Sequence, residues 1–389
     1  MPGLTLPPFP DNVPTHPLLV IDFQSVKAGN TQEIDRLWKA ATTLGFWYLK
    51  NHGVEQEVED MFDMGAEVMD LPLEEKMEFE EGDGEMAFGS DILSTLPSHS
   101  QSNYNTNILI LRQKRYKALG AVAVDEFNTR DSVEFLNVAK DDVLAYPNIV
   151  HRTYPSTVYA HMESTIRPFV DKSLEVNNTI LSILEAKLGL PGGTFLKYHS
   201  RDEPSGSDAR VIKKPPEPTT TTTDGNGNLN PKVALGAHTD FGSLSFLHNR
   251  LGGLQVLVPG SNTWQYIRPL PSHAICNIGD TLSIFSGGIL RSNMHRIVPP
   301  PFPQNAFSRW SVVFFTRPGY GQILRVLKEE SDVIRGVYEG MGEEERGRYE
   351  PNVTAREWHK RRKMTLRRKD MTPEAWNASR GMEHNLSGY

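Results

Sequence analysis

The sequence predicts a mainly β fold with flanking helices, in which a sandwich or jelly-roll core lies between an N-terminal helical region and a C-terminal helix. Past residue 192, short β-branched or aromatic runs recur between turn signals, and about eight strands at a spacing of roughly 8–12 residues form the pattern of a sandwich or jelly roll. Before that point apolar residues repeat mostly at helical intervals, as on a helix with one buried face. With 389 residues, 38% hydrophobic and 23% charged, the chain can bury a large core and is not disordered as a whole.

In chain order, Pro2, Pro7, Pro8, Pro10 and Pro14 mark an extended arm, and Leu18 to Phe23 reads as a short buried strand. Thr31 to Leu44 is helical. Its capping box is incomplete, because Thr31 is followed three residues later by Ile34, and only Glu33 and Asp35 favour the first turn. Gly45 ends that helix, and Phe46 to Leu49 is a second apolar strand stopping at Asn51-His52-Gly53. Residues 55–70 are helical, with Val58, Met61, Phe62, Ala66 and Met69 on one side. One long helix is expected over 156–188. The strands then read Val211-Ile212, Val233 to Leu235, Leu244 to Leu247, Leu254 to Val258, Thr263 to Ile267, Ala274 to Asn277, Thr281 to Phe285 and Arg309 to Phe315. Thr219 to Asn228 is a polar loop, and Asn277 to Asp280 a turn. From Pro351 the chain is helical again. Eight basic residues fall within 356–369, and beside Trp358 they read as the solvated face of a helix covering the barrel.

The balance of 41 basic against 48 acidic residues gives a formal charge of −7, which supplies no basic field for nucleic acid. Cys276 stands alone, so neither a disulfide within the chain nor a cysteine zinc site can form, which points to a reducing compartment. No apolar run reaches the roughly 18–20 residues that span a bilayer, and the first residues lack the pattern of a secretion signal. A cytoplasmic monomer acting on a small molecule, without nucleic-acid or membrane partners, is the expectation.

His238-Thr239-Asp240 follows the Val233 to Leu235 run. If the chain stays extended there, residues 238 and 240 project to one face, and an imidazole and a carboxylate can share one metal. His295, at the start of another strand, supplies a third donor. Two histidines and one carboxylate on one face leave three positions open, the arrangement of non-haem Fe(II) oxygenases. A lone His-x-Asp pair is a common chance occurrence, so the context matters. In Arg309-Trp310-Ser311 a guanidinium and a hydroxyl share a strand face, and an Arg set among Phe307, Trp310, Val312, Val313, Phe314 and Phe315 is a buried cation that needs an anion rather than surface decoration.

These motifs resemble the iron- and 2-oxoglutarate-dependent dioxygenases of the isopenicillin N synthase-like superfamily, in their fungal form, over nearly the whole chain. The resemblance rests on Val20 to Phe23, Gly45 to Val54, Leu73 to Lys76, His238 to Ser243, Leu254 to Val256, Asn277 to Asp280, His295 to Ile297 and Arg309 to Ser311. It implies a double-stranded β-helix core, with 1–190 as a mostly helical N-terminal region, 191–320 as the catalytic core and 321–389 as a C-terminal helical extension. It implies Fe(II) on His238, Asp240 and His295, with the distal carboxylate of 2-oxoglutarate on Arg309 and Ser311. O2 would be the second co-substrate and ascorbate a reductant. The expected reaction is oxidation of a small specialised metabolite by hydroxylation, desaturation or cyclisation. The alternatives are an oxidase that does without 2-oxoglutarate and a non-catalytic binding protein on the same fold. His52 is expected to be structural, and His248 and His273 match no ligand position. Pocket candidates are Tyr116 to Val124, Tyr198-His199, Phe241 and Ile289-Leu290, each weighed against plain packing. Two departures stand out. Lys214 occupies the place of a Tyr that helps hold 2-oxoglutarate in many relatives, and it either pairs with the carboxylate or points to solvent. Residues 90–115 separate Met86-Ala87-Phe88-Gly89 from Tyr116-Lys117-Ala118-Leu119-Gly120, which stand almost side by side in relatives; the segment is either a lid or a translated retained intron, and the intron is favoured.

Overall fold

The computed structural model describes residues 6–80, 115–125, 127–148, 153–217, 233–366 and residue 381. The polar loop expected at 219–228, and all of the 90–115 segment except Arg115, lie outside the described residues. In the N-terminal half, β1 (Val20–Asp22) leads through α1 (Phe23–Lys27) and α2 (Thr31–Thr43) to β2 (Phe46–Lys50), α3 (Glu55–Met69) and α4 (Leu73–Met77). Then come β3 (Tyr116–Lys117), β4 (Glu134–Ala139), α5 (Lys140–Ala145), α6 (Ser156–Ala160), a π-helical turn at Met162–Ile166, α7 (Arg167–Lys187) and α8 (Thr194–Tyr198). The core strands are β5 (Asp208–Lys214), β6 (Leu235–His238), β7 (Leu244–Asn249), β8 (Leu254–Leu257), β9 (Trp264–Tyr266) and β10 (His273–Ile278). After α9 (Asp280–Phe285) follow β11 (His295–Ile297), β12 (Arg309–Thr316), β13 (Ile323–Leu324), α10 (Asp332–Gly340), α11 (Glu343–Tyr349), β14 (Val353–Thr354) and α12 (Ala355–Leu366).

An eight-stranded sheet in the order β1-β2-β10-β7-β12-β5-β4-β3 faces a four-stranded sheet, β6-β11-β8-β9, as the jelly-roll expectation requires. The alternation of side chains along each strand sorts the large sheet into two faces. Ala209, Val211, Val312 and Phe314 pack with Leu37, Phe62, Phe169 and Leu181 of the helices in one apolar core. Phe46, Tyr48 and Ile275 meet Leu254 and Val256 of the small sheet in a second. The residues between them in sequence, Asp208, Arg210, Ile212 and Lys214 on β5 and Arg309 and Ser311 on β12, therefore look toward the interior between the sheets.

Several elements differ from expectation. Asn30, not Thr31, caps α2, its side chain accepting from the Glu33 N–H at 3.0 Å, and Glu33 accepts in turn from the Asp22 N–H at 2.7 Å. The helix expected over 156–188 is broken by the π turn, because Pro168 has no N–H to give to the turn before it. Thr281 to Phe285 is helical rather than a strand, and every residue of α9 is buried. Asn277 and Ile278 belong to β10 rather than to a turn. Strand β4 was not expected; all six of its residues are buried. No helix among the described residues is long and apolar enough to cross a membrane.

Candidate metal centre and active site

His238 ends β6 and His295 begins β11, and the two are direct cross-strand partners. Asp240 follows two residues after His238, where the chain leaves the strand. The Nε2 atoms of both histidines lie 3.8 Å from Asp240 Oδ1, and the three donor atoms are all within 4.8 Å of one another. The sequence-predicted triad thus converges. Each ring is oriented through its other nitrogen: His238 Nδ1 donates to the Gly236 carbonyl at 2.8 Å and His295 Nδ1 to the Asn293 carbonyl at 3.2 Å. Both Nε2 atoms are left as bare donors to a metal. Asp240 Oδ2 accepts from Ser245 Oγ and from Asn277 Nδ2 at 2.8 Å, which turns Oδ1 toward the imidazoles.

Burial, with His295 adding to it, holds the His238 pKa down to about 4. Burial alone would raise Asp240, but the two imidazoles and the Ser245 and Asn277 donors bring it down to about 2. A neutral imidazole beside an ionised carboxylate is the protonation a bound cation needs. This donor set, nitrogen and oxygen without thiolate, fits Fe(II).

Below the triad, the Asp280 N–H donates to the Asp240 carbonyl at 2.7 Å. The Asp280 carboxylate accepts from Thr239 Oγ1 at 3.0 Å and Ser292 Oγ at 2.8 Å, and Arg362 Nη2 stands 3.4 Å away. Gly279 is required here, since a Cβ would collide with the Gly242 carbonyl. Arg362 also donates to the Thr239 carbonyl at 3.3 Å, and Trp358 Nε1 to the Phe241 carbonyl at 3.0 Å. The basic face of α12 read as solvated is therefore partly turned inward: His359, Arg362 and Lys363 are all buried. They were missed because their sequence signal is only a run of charge. What brings them inside is the docking of Trp358 and Arg362 on the loop between the metal-binding candidates.

Arg309 is 2% exposed. Its Nε donates to the Gly252 carbonyl at 2.7 Å and its Nη1 to Ser311 Oγ at 2.7 Å, while Nη2 is buried with no partner. Burial pushes its pKa down to about 10. An oriented guanidinium with an orphaned nitrogen fits a carboxylate ligand. Lys214 is directly opposite Arg309 in the sheet. It does not point to solvent: it is 2% exposed and its Nζ is 2.8 Å from Glu217 Oε2.

A cavity of about 120 Å3 opens beside the triad, with His238 and Asp240 in its wall. Of the pocket candidates, Lys117, Val122, Ala123 and Phe241 line it. Tyr116 faces the other way, its hydroxyl donating to Glu134 at 2.6 Å. Tyr198 packs on Phe285, His199 is held by Ser243 and Phe195, and Leu290 is in the helical core. His52 accepts from the Val54 N–H, His248 meets Phe169, Phe246 and His52 edge to face, and His273 donates to the Pro271 carbonyl, all three outside the triad.

Comparison with known proteins matches residues 207–318 to the 2OG-Fe(II) oxygenase superfamily and residues 18–91 to the N-terminal domain of non-haem dioxygenases in morphine synthesis. A 2-oxoglutarate-dependent dioxygenase of Aspergillus fumigatus is 26% identical over 338 residues, covering 80% of this chain and 78% of that one. The 2-oxoglutarate-dependent dioxygenase iboH of Amanita muscaria is 33% identical over 153 residues, 39% of this chain and 69% of that one. Among solved structures, a full-length Neurospora crassa protein in complex with alpha-KG and 5-formyluracil superposes with a TM-score of 0.65 at 20% identity, over 89% of this chain and 95% of that one.

Proposed function

The chain belongs to the Fe(II)- and 2-oxoglutarate-dependent oxygenases, and from that membership we propose that His238, Asp240 and His295 hold the Fe(II) while Arg309 and Ser311 hold the distal carboxylate of 2-oxoglutarate. The protein is a 2-oxoglutarate-dependent dioxygenase that oxidises a small organic substrate. The observation that carries the residue assignment is the convergence of two bare imidazole nitrogens and one carboxylate oxygen, each fixed from behind by a protein hydrogen bond. When bound, Fe(II) and 2-oxoglutarate supply the oxidising power, as O2 is consumed and 2-oxoglutarate is cleaved to succinate and CO2.

The chain's own residues do the aiming. Gly236 and Asn293 carbonyls fix the two rings, Ser245 and Asn277 fix the carboxylate, and the Asp280 N–H holds the backbone between them. Arg309 Nη2 and Ser311 Oγ offer an anion two donors in a dry site, so the co-substrate binds in one orientation. Hydroxylation of a specialised metabolite is the reading, with desaturation or cyclisation as variants; the readings without 2-oxoglutarate or without catalysis are not favoured. On this reading the enzyme is a cytoplasmic monomer without nucleic-acid or membrane partners, and 191–320 is its catalytic core between 1–190 and 321–389. The test is anaerobic titration of Fe(II) with 2-oxoglutarate, followed by the charge-transfer absorption of the complex. His238→Ala and His295→Ala should lose that absorption and all succinate release while still melting cooperatively. Retention of both signals by either variant would remove that residue from the site.

A further inference from the structure

We propose that the substrate of this site is an apolar monocarboxylic acid and that Arg210 takes its carboxylate; this rests on the placement of the metal beside His238 and Asp240. Arg210 is on β5, on the interior face, in the same cavity wall as those two residues. Its guanidinium lies between two aromatic rings, 4.4 Å from the centroid of Phe135 and 4.7 Å from that of Phe315. Its Nε donates to Asn137 Oδ1 at 2.6 Å. The plane and one edge of the guanidinium are thereby fixed. Neither Nη atom has a hydrogen-bond acceptor or a carboxylate within ion-pair distance among the described residues, and neither is sealed from the cavity.

Charge bookkeeping around the cavity narrows the ligand. Lys117 is paired with Asp131 and also donates to the Val133 carbonyl. Arg317 is paired with Asp208 at 3.2 Å and donates to the Gly206 carbonyl. Arg210 alone of these three keeps an open fork. A partly buried guanidinium without an anion is costly, and a planar carboxylate is the group that fits two parallel N–H donors. Arg115 and Lys363 line the same wall, so the cavity as a whole favours an anion. Apolar side chains make up much of the rest of the wall, Val122, Val133, Ile212, Phe241 and the two clamping rings among them, so the body of the acid is hydrocarbon or aromatic. Held at Arg210, such a molecule would extend its body toward His238 and Asp240.

The experiment uses the full-length protein loaded with Mn(II) and 2-oxoglutarate, which does not turn over, and reads the rise in Tm with octanoate, decanoate, phenylacetate and cinnamate, each beside its methyl ester. At least one acid should raise Tm where its ester does not. Arg210→Gln should weaken that acid by about tenfold or more, and Arg210→Lys should recover part of the loss. Esters acting as well as acids, no response to any acid, or unchanged affinity in Arg210→Gln would each overturn the proposal. The acid and ester comparison is made on the wild type, so it stands even if Arg210→Gln fails to fold. The rise in Tm from Mn(II) and 2-oxoglutarate alone is read first. Its absence would count against the metal and co-substrate assignment, and the acids would then be compared on the unloaded protein.

Discussion

At Arg309 the protein uses two of three guanidinium nitrogens itself, for the Gly252 carbonyl and Ser311 Oγ, and leaves the third buried and unpartnered. Removing such a partner from a desolvated anion costs on the order of 2–5 kcal/mol, so Arg309→Ala should raise the KM for 2-oxoglutarate by about thirtyfold or more, measured from succinate release. An unchanged KM would remove Arg309 from the 2-oxoglutarate site. Lys214 is a different case although it stands opposite Arg309, because Glu217 already holds its ammonium. Lys214→Met should leave that KM within about threefold, a difference of less than ~1 kcal/mol. A rise matching that of Arg309→Ala would place Lys214 on the co-substrate. His199 carries a pH dependence of its own. Its Nδ1 donates to the Phe195 carbonyl at 2.7 Å and its Nε2 accepts from Ser243 at 2.6 Å, and burial, opposed by the Phe195 bond, holds its pKa down to about 4. The unfolded chain, titrating at about 6.5, binds more protons than the native state between those values. The neutral ring's contribution is complete above about pH 6.5 and is lost as pH falls toward 4, on the order of 3 kcal/mol in all. Urea unfolding at several pH values should show a shallower acid loss in His199→Gln than in the wild type; identical slopes would mean that His199 is not the group responsible.

Helix α12 and helix α9 meet the metal-site loop from two sides, through Arg362 and Asp280. Arg362→Met leaves the Asp280 carboxylate buried without its cation, a change in the range of about 3–5 kcal/mol for buried pairs, with the lower end expected because Thr239 and Ser292 still donate to it. Both Tm and Fe(II) affinity should fall, and Asp280→Asn in the same chain should restore part of the Tm. A variant with wild-type Tm and Fe(II) affinity would show that α12 does not brace the site. These two elements also mark where the sequence stops being legible. The pairing of Arg309 with Ser311 on one face of β12 was legible because strand alternation is a local property, whereas His238 and Asp240 converge although the chain leaves β6 between them. Thr281 to Phe285 is a short apolar run with no period to separate strand from helix, and it folds as α9, which starts directly after the close approach of Gly279 to Gly242. Strand β4 escaped notice because Glu134 and Asn137 interrupt its apolar pattern. Their partners are remote in sequence: Lys76 and Tyr116 for Glu134, Arg210 for Asn137. The inward residues of α12 are invisible for the same reason, since Asp280 and Thr239 are far from Arg362 along the chain.

Across the whole molecule, β1, β2, β3 and β4 from the N-terminal half join the same sheet as β5, β7, β10 and β12 and form both of its edges. The departure at 90–115 is placed by this arrangement. The Arg115 and Tyr116 N–H groups donate to the Phe79 carbonyl at 2.7 and 2.8 Å, and Glu80 bridges to Tyr116. The chain therefore leaves the described fold at residue 80 and returns at residue 115 beside it. Arg115 itself belongs to the described fold, being 3% exposed and part of the cavity wall, so a deletion that spares the fold stops at residue 114. Because the two ends already touch, residues 81–89 suffice to connect them, and shortening a loop changes its closure entropy by only about 0.6 kcal/mol per halving. Deleting 90–114 should leave Tm within about 3 °C and preserve the rise in Tm caused by Mn(II) with 2-oxoglutarate. Extending the deletion through Arg115 should lower Tm, because it removes a buried side chain and a backbone donor to Phe79. The retained-intron reading requires full activity in the shorter chain and the absence of codons 90–114 from the mature transcript. Loss of substrate affinity with Tm intact, or those codons in the spliced message, would decide for a functional insertion.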